Sequence, residues 1–519
     1  MKKFLLCAAL FIVLSTLAAC GRESEAPYEP TAPHTPAPTP TPTPIPTPTP
    51  EPTLAPAYSY TLQDLLDIAN ARRAAIKRPD TALLYSLVQG REPRHMEVDD
   101  YFPVQGEQAH TVSREDALYD AALFFEFMRQ AYGAYTYFGG DAIFLPIFDE
   151  ILETLASQDI WYTADMVLLL YESLAPYILD NHFSIGGRIL GISYTFLIAN
   201  EFFERSSNGL RNQNCKRYVA EVTGYNIETL FRLTANSVGE LFYMPVIIRP
   251  EGYSAYTLEL IYSCGEREVL HFRRNVLPSR MFQLPSLVWQ QGFPVVTIRS
   301  MGFPANPDGP FYRGAQDFLS FAYELQEEPV IIIDVRSNGG GNGMLASQWM
   351  HIVAGVVIPS NHVSIRIGDY EAARASWRDQ TPDNWFYQPY EELLRYVSIE
   401  PMGDIAVRTG ILAEVILPND RLFVILTDRG SASAAEGFAD MLLTMENTLI
   451  IGQNTGGALN MDLTYPNRSL PRSGIPFGFG RTIFIHPEGH LIEGQGIAPD
   501  IWVMGDALNA VLAILQAKD

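Results

Sequence analysis

Lysine is nearly missing from this 519-residue chain: Lys2, Lys3, Lys77, Lys216 and Lys518 are the full set, and arginine carries almost all the positive charge. The 36 Lys and Arg face 59 Asp and Glu, giving a formal net charge of -23 that no basic stretch interrupts. Nucleic-acid binding needs clustered cations to displace counterions, so this composition argues for no nucleic-acid partner. Cysteine is also scarce; beyond the first twenty residues only Cys215 and Cys264 remain, without metal-ligand spacing. The apolar run from Phe4 to Leu17 is too short and wrongly flanked for a stable transmembrane helix.

What is present begins with an export signal. Lys2 and Lys3 precede that apolar run, and Leu17-Ala18-Ala19-Cys20 stands at the expected cleavage site. The tetrad resembles a bacterial lipobox, which implies a lipid-modified Cys20 and an extracytoplasmic lipoprotein held at the bacterial cell membrane through its N-terminal lipid. An ordinary signal peptide cut near the same place is the alternative. In an oxidising compartment Cys215 and Cys264 could form a bridge, with two buried free thiols as the alternative. From Pro27 to Pro56 a Thr-Pro repeat dominates and leaves too few apolar residues to seed a core. It predicts a semi-rigid polyproline spacer, roughly 90 Å long if fully extended. The chain thus divides into a signal peptide at 1–19 and a lipid anchor with Thr/Pro-rich linker at 20–57.

Residues 58–184 predict a helical region, with Leu62, Leu65, Leu66 and Ile68, then Ala117, Ala121, Phe124, Phe125 and Met128, at near-helical spacing. Residues 185–285 predict a small β-rich module, for which a PDZ-like fold is one reading. Its runs Val246-Ile-Ile-Arg-Pro and Tyr256-Thr-Leu-Glu-Leu-Ile-Tyr are punctuated by Gly and Asn turns. Residues 286–519 predict an α/β core: Pro294–Arg299, Val330–Val335, Leu422–Thr427 and Thr448–Gly452 read as strands, Gly314–Leu325 and Ser433–Met445 as helices.

Two segments of that core could carry chemistry. In Leu422-Phe-Val-Ile-Leu-Thr-Asp-Arg-Gly-Ser-Ala-Ser-Ala-Ala-Glu an apolar strand gives way to small residues and then a helix. A serine at such a turn stands above the sheet edge beside the free NH groups of the helix start. Ser433 or Ser431 serving only as a helix cap fits the same residues. In Val330-Ile-Ile-Ile-Asp-Val-Arg-Ser-Asn-Gly-Gly-Gly a buried strand runs into glycines, which let backbone NH groups approach a ligand. The Lys-Ser/Thr ending of a phosphate-binding loop is absent, so an oxyanion hole or a bare turn remains.

Asp334-Val-Arg-Ser-Asn-Gly-Gly-Gly and Gly430-Ser-Ala-Ser-Ala-Ala-Glu are followed by Ile451-Gly-Gln-Asn-Thr-Gly-Gly and Glu493-Gly-Gln-Gly-Ile-Ala-Pro-Asp-Ile. In this order they resemble the tail-specific (C-terminal processing) and tricorn-core serine peptidases. The resemblance spans Phe293 to Val503 and implies a ClpP/crotonase-like β-β-α sheet, a peptidase activity on peptides or proteins, and no metal or organic cofactor. It implies that Ser433, three residues before Glu436, is the nucleophile, with an oxyanion hole from the NH groups of Ala434 and of Gly339 or Gly340.

One position departs from the tail-specific pattern. A Thr-x-Gly-Lys context there supplies the general base, but here it reads Thr455-Gly456-Gly457-Ala458. A Ser-Lys dyad is excluded at that place, and Lys77, Lys216 and Lys518 lie in unsuitable segments. Serine still needs a base. The tricorn-like branch uses a histidine placed before the core, which Asp180-Asn-His-Phe offers as His182. Glu493 resembles the acid of that site, orienting the base or steadying its charge through an intervening polar group. Asn181 stands where that branch has a polar relay residue. The resulting expectation is a secreted, lipid-anchored serine peptidase. The alternatives are a catalytically inactive peptide- or cell-wall-binding lipoprotein of the same fold, and a hydrolase of non-peptide esters or amides.

Overall fold

Uninterrupted apolar runs form strands buried on both faces, and the three richest lie side by side. Val330–Asp334, Leu422–Thr427 and Thr448–Gly452 pair in parallel, in that order. Phe293–Thr297 joins parallel on one side and Ile501–Val503 on the other. The computed structural model describes residues 60–76, 81–88, 101–103, 107–274, 281, 283–302, 310–356, 358, 363–367, 397–402, 405–410, 416–462, 468–486 and 492–517. The expected signal peptide, Cys20, the Thr/Pro linker, Lys77 and Lys518 lie outside the described residues.

Successive side chains of a strand point to opposite faces, and the two faces of this sheet carry different helices. Ile331, Ile333, Phe423 and Ile425 pack with helices Pro310–Glu324, Met344–Ala354 and Ala434–Leu442. Ile332, Val424, Leu426 and Leu449 pack on the other side with helices Leu62–Ala74 and Ala507–Gln516. The fold is α/β as expected, and the strands and helices of the core fall where the alternation of the sequence places them.

Helix Leu62–Ala74 therefore belongs to the core rather than to the helices that follow it. Thr61 caps it in a capping box with Asp64. Arg73 reaches Asp500 at 2.9 Å, and its neighbour Arg72 bonds the same carboxylate. Ile68, counted in the apolar pattern, is 47% exposed; Ala69 takes the inward position. Helices Arg114–Ala131, Gly140–Ala156 and Thr163–Leu174 form a separate aromatic-rich cluster with Phe183, Phe477 and Phe479.

The β-rich segment is not a free-standing sheet. Phe231–Ala235 pairs in parallel with Ile501–Val503 of the core. From there the antiparallel strands Leu241–Pro250, Tyr194–Ala199, Arg267–Arg274, Ala255–Tyr262 and Val219–Val222 extend the same 14-stranded sheet. The PDZ-like character is not confirmed: among the described residues of this segment the helical element is the four-residue turn Ile227–Leu230.

Candidate active site

The Leu422–Thr427 strand delivers its chain into a turn built by Ser431. The buried Ser431 hydroxyl donates to the Val335 carbonyl at 2.8 Å and accepts from the Asp428 NH at 3.0 Å, so it is spent on structure. Two residues on, Ser433 sits at φ 55° and ψ -119°, a conformation strained for a residue with a side chain, immediately before helix Ala434–Leu442. Glu436, fully buried, holds this bend. It accepts from the Ser433 NH at 2.9 Å, the Thr455 hydroxyl at 2.6 Å, and the Gly457 and Ala458 NH groups at 2.7 Å each. Ala458 thus serves the site through its backbone.

The glycine loop after Val330–Asp334 is fixed from below by two arginines. Arg299 and Arg336 both grip Asp334, with contacts of 2.7 to 2.9 Å. Burial alone would raise the Asp334 carboxyl, but the hydrogen bonds and charges of Arg336 and Arg299 hold it well below the usual range. Ser337, at φ 58°, gives its NH to Asp428 at 2.7 Å, and the Ala432 NH donates to the Asn338 carbonyl at 2.9 Å. The glycine loop and the serine turn are therefore laced together. A Cβ at Gly340 would lie 2.7 Å from both the Ala432 carbonyl oxygen and the Ser433 Cβ, so only glycine fits there. The Gly340 NH donates to the Asn338 side chain at 2.9 Å, which removes it as an oxyanion donor in this conformation. Among the described residues, the NH groups of Gly339 and Ala434 donate to no protein acceptor, and Gly339 is exposed.

His182 comes from far away in sequence. It occupies a turn between helix Thr163–Leu174 and the short strand Ser184–Ile185, which pairs with Pro476–Gly478. Phe183 anchors that turn, packed 5.0 Å from the Tyr132 ring and 5.1 Å from the Phe479 ring. The result is a direct contact: His182 Nε2 lies 3.2 Å from Ser433 Oγ. Of the expected site residues, Ser433, His182, Ala434 and Gly340 are brought together, and Gly339 precedes Gly340 in the same loop.

Glu493 lies against the turn that carries His182. Its oxygens accept from the backbone NH of Asn181 at 3.1 Å and of Asn460 at 2.8 Å, and neither touches the His182 ring. The Asn181 amide donates to the carbonyls of Gly457 and Ile192, so it ties loops together and does not relay to the histidine. The carboxylate bonded to residue 182 is Asp180, fully buried. It accepts from the His182 NH at 2.7 Å and from the Tyr132 hydroxyl at 2.8 Å. Burial and then the charge of Asp180 push Glu493 well above the usual carboxylate range. Asp180 is also raised by burial, against the pull of His182, and the Tyr132 phenol is raised by burial and by Asp180. Sequence reasoning noted Asp180 only as context for His182 and missed Tyr132 and Asn460; the spacing Asp-x-His was the one signal available for the first.

Elsewhere, Cys215 and Cys264 are free, so they form no bridge, and both are exposed rather than buried. Lys216 sits in a turn at φ 59° within the β-rich segment. No helix among the described residues is long and apolar enough to cross a membrane.

Residues 295–503 match the family model of peptidase family S41. Among solved structures, mature CPAF is similar at 14% identity and a TM-score of 0.38, over 78% of this chain and 96% of that one. The photosystem II D1 C-terminal processing protease is similar at 14% identity and 0.33, over 74% and 92%. A lipoprotein from Streptococcus agalactiae is similar at 12% identity and 0.37, over 78% and 97%. Among curated proteins none matches the sequence.

Proposed function

Since residues 295–503 match the family model of peptidase family S41, we propose that the chain is a serine peptidase of that family, with Ser433 as its nucleophile and His182 as its general base. The observation that carries this reading is the 3.2 Å approach of His182 Nε2 to Ser433 Oγ across 251 residues of sequence. In the proposed reaction His182 Nε2 takes the hydroxyl proton as Ser433 Oγ bonds to the scissile carbonyl carbon. The NH groups of Gly339 and Ala434 receive the oxyanion, which makes one of the two candidate glycines the donor. Collapse breaks the C–N bond, the amine leaves with the proton from His182, and water, deprotonated by the same ring, hydrolyses the acyl-enzyme. Glu493 supports the site at one remove, by fixing the backbone of Asn181 and Asn460.

Retention of a strained serine, a histidine in contact with it and unspent NH groups beside it favours turnover over mere peptide holding. On a mixed peptide library read by mass spectrometry, the wild-type protein should release fragments. Ser433→Ala and His182→Ala should each reduce that release by about 10³-fold or more. Binding without cleavage by the wild-type chain would replace the reading with that of a peptide-binding protein.

Two further parts of the proposal rest on sequence. The apolar run before Leu17-Ala18-Ala19-Cys20 supports export and lipidation of Cys20, and the Thr/Pro segment supports a spacer from the membrane. Cys20→Ser should release the protein from the membrane fraction of cells that express it; unchanged membrane association would contradict the anchor.

A further inference from the structure

A short hairpin follows the histidine, and its residues alternate between two faces. Ser184–Ile185 pairs with Arg188–Ile189, which sets Ser184 level with Ile189. The Leu190 NH donates to the Phe183 carbonyl at 2.8 Å and carries the pairing up to the residue beside the histidine. Phe183, Ile185 and Leu190 are buried in the aromatic-rich cluster, so His182, Ser184 and Ile189 fall on the opposite face. Ile189 is 53% exposed there. The chain then runs close past the histidine turn. A Cβ at Gly191 would lie 2.7 Å from Asn181 Cα, and the half-buried Ile192 gives its carbonyl to the Asn181 amide at 3.5 Å. From Ile189 to Ser193 there is no charge, and Arg188 before them lies over the Tyr171 ring at 5.5 Å. A lone exposed apolar residue is ordinary, but Ile189 and Ile192 flank the turn whose ring hands a proton to the leaving group.

Resting on the reading of Ser433 as nucleophile and His182 as base, we infer that Ile189 and Ile192 form the subsite for the substrate residues just after the scissile bond, which favours apolar side chains there. The placement follows from the chemistry. When the tetrahedral intermediate collapses, the C–N bond breaks and His182 Nε2 gives its proton to the departing nitrogen. That nitrogen must lie within hydrogen-bond reach of the ring. The departing segment therefore leads away on the histidine side of Ser433, along the face that Ser184 and Ile189 share with the ring. The acyl half stays bonded to Ser433 and does not share this path. An apolar side chain laid on Ile189 and Ile192 removes exposed apolar surface from water on both partners. A charged side chain would lose hydration there without gaining a partner, and an acidic one also meets a molecule of net charge -23. The two isoleucines bind and do not react, so their effect is a choice among sequences.

Cleavage of a mixed peptide library by the full chain, scored by the residues on each side of every bond cut, tests this. The wild-type protein should favour Leu, Ile, Val or Phe over Ser, Asp or Glu in the two positions after the bond, by about 10-fold in kcat/KM. Ile189→Ser should reduce that preference to about 3-fold or less. Ile189→Arg should turn it toward Asp and Glu, with selectivity before the bond kept in both variants. A merely structural change would lower all cuts alike and leave the profile in place. A preference unchanged in both variants would therefore overturn the inference. So would a wild-type profile indifferent to these two positions, and that arm decides the question if neither variant folds. Failure of the underlying reading looks different: no peptide cut and no fluorophosphonate adduct on Ser433, which would remove the peptidase and the subsite with it.

Discussion

Ser433 is useful because its backbone is forced. Its φ of 55° is uncommon for a residue with a Cβ, and it persists because Glu436 holds its NH, helix Ala434–Leu442 follows it and Gly340 leaves room beside it. Gly340→Ala adds a methyl group 2.7 Å from the Ser433 Cβ, at a backbone φ of 97°. The expected outcome is a loss of about 10²-fold or more in kcat, and progress curves on a peptide substrate measure it. Activity near wild type would show that the loop has freedom the contact distances deny. At this scale the serine, the glycines and the replacement of lysine by alanine were legible, since each is a matter of residue type at a fixed spacing. The bonding of the two nearby acids was not: only the folded chain shows that Asp180 accepts the His182 NH and Glu493 the Asn181 NH. Nor could residue type reveal that the NH of Gly340 is already spent on Asn338.

Among the elements, the strand Val330–Asp334 bears the heaviest duty, since its last residue anchors the glycine loop. Asp334, Arg299 and Arg336 form a buried charge cluster, each side chain about 5% exposed or less. Arg299→Ala takes two charged hydrogen bonds from the buried Asp334 and leaves Arg336 as its remaining cation. It should destabilise the fold by about 2–3 kcal/mol, read from the urea midpoint at constant m-value. The Asp334 carboxyl lies lower in the folded state than in the unfolded chain. Its contribution is therefore present above the unfolded value of about 4 and is lost as pH falls toward the depressed folded value. The stability gap between wild type and Asp334→Asn should shrink as pH drops below about 4, and a gap constant with pH would contradict this role. Continuous apolar runs ending in turn residues made these strands visible in advance, because a strand buried on both faces needs apolar side chains at nearly every position. The charge cluster was hidden: Arg299 meets Asp334 only after two strands pair in parallel.

Over the whole molecule, the site is assembled from segments that share no local signal. The turn with His182 is placed by aromatic packing against Phe479 and by strand pairing with Pro476–Gly478, while Ser433 is placed by the core sheet. The sheet itself runs from the core into the β-rich segment through Phe231–Ala235 against Ile501–Val503. That join was illegible because periodicity predicts that a strand exists, not which distant strand it meets. The first helix shows the same limit. Leu62–Ala74 reads like its neighbours in sequence yet is fastened to the core through the buried Arg73 and Asp500, which also accepts the Ile450 NH at 2.7 Å. Asp500→Ala should cost about 3 kcal/mol and release this helix, seen as faster amide exchange across residues 62–74. Unchanged protection there would mean that apolar contacts alone hold it.

The central claim is that the hydroxyl at position 433 is made reactive by the ring at position 182. Treatment of the full chain with a fluorophosphonate, followed by peptide mapping in the mass spectrometer, measures that reactivity at a named atom. A single adduct on Ser433, with His182→Ala slowing its formation by about 10²-fold or more, is the expected result. An adduct on Ser431, or equal labelling with and without the histidine, would contradict the account.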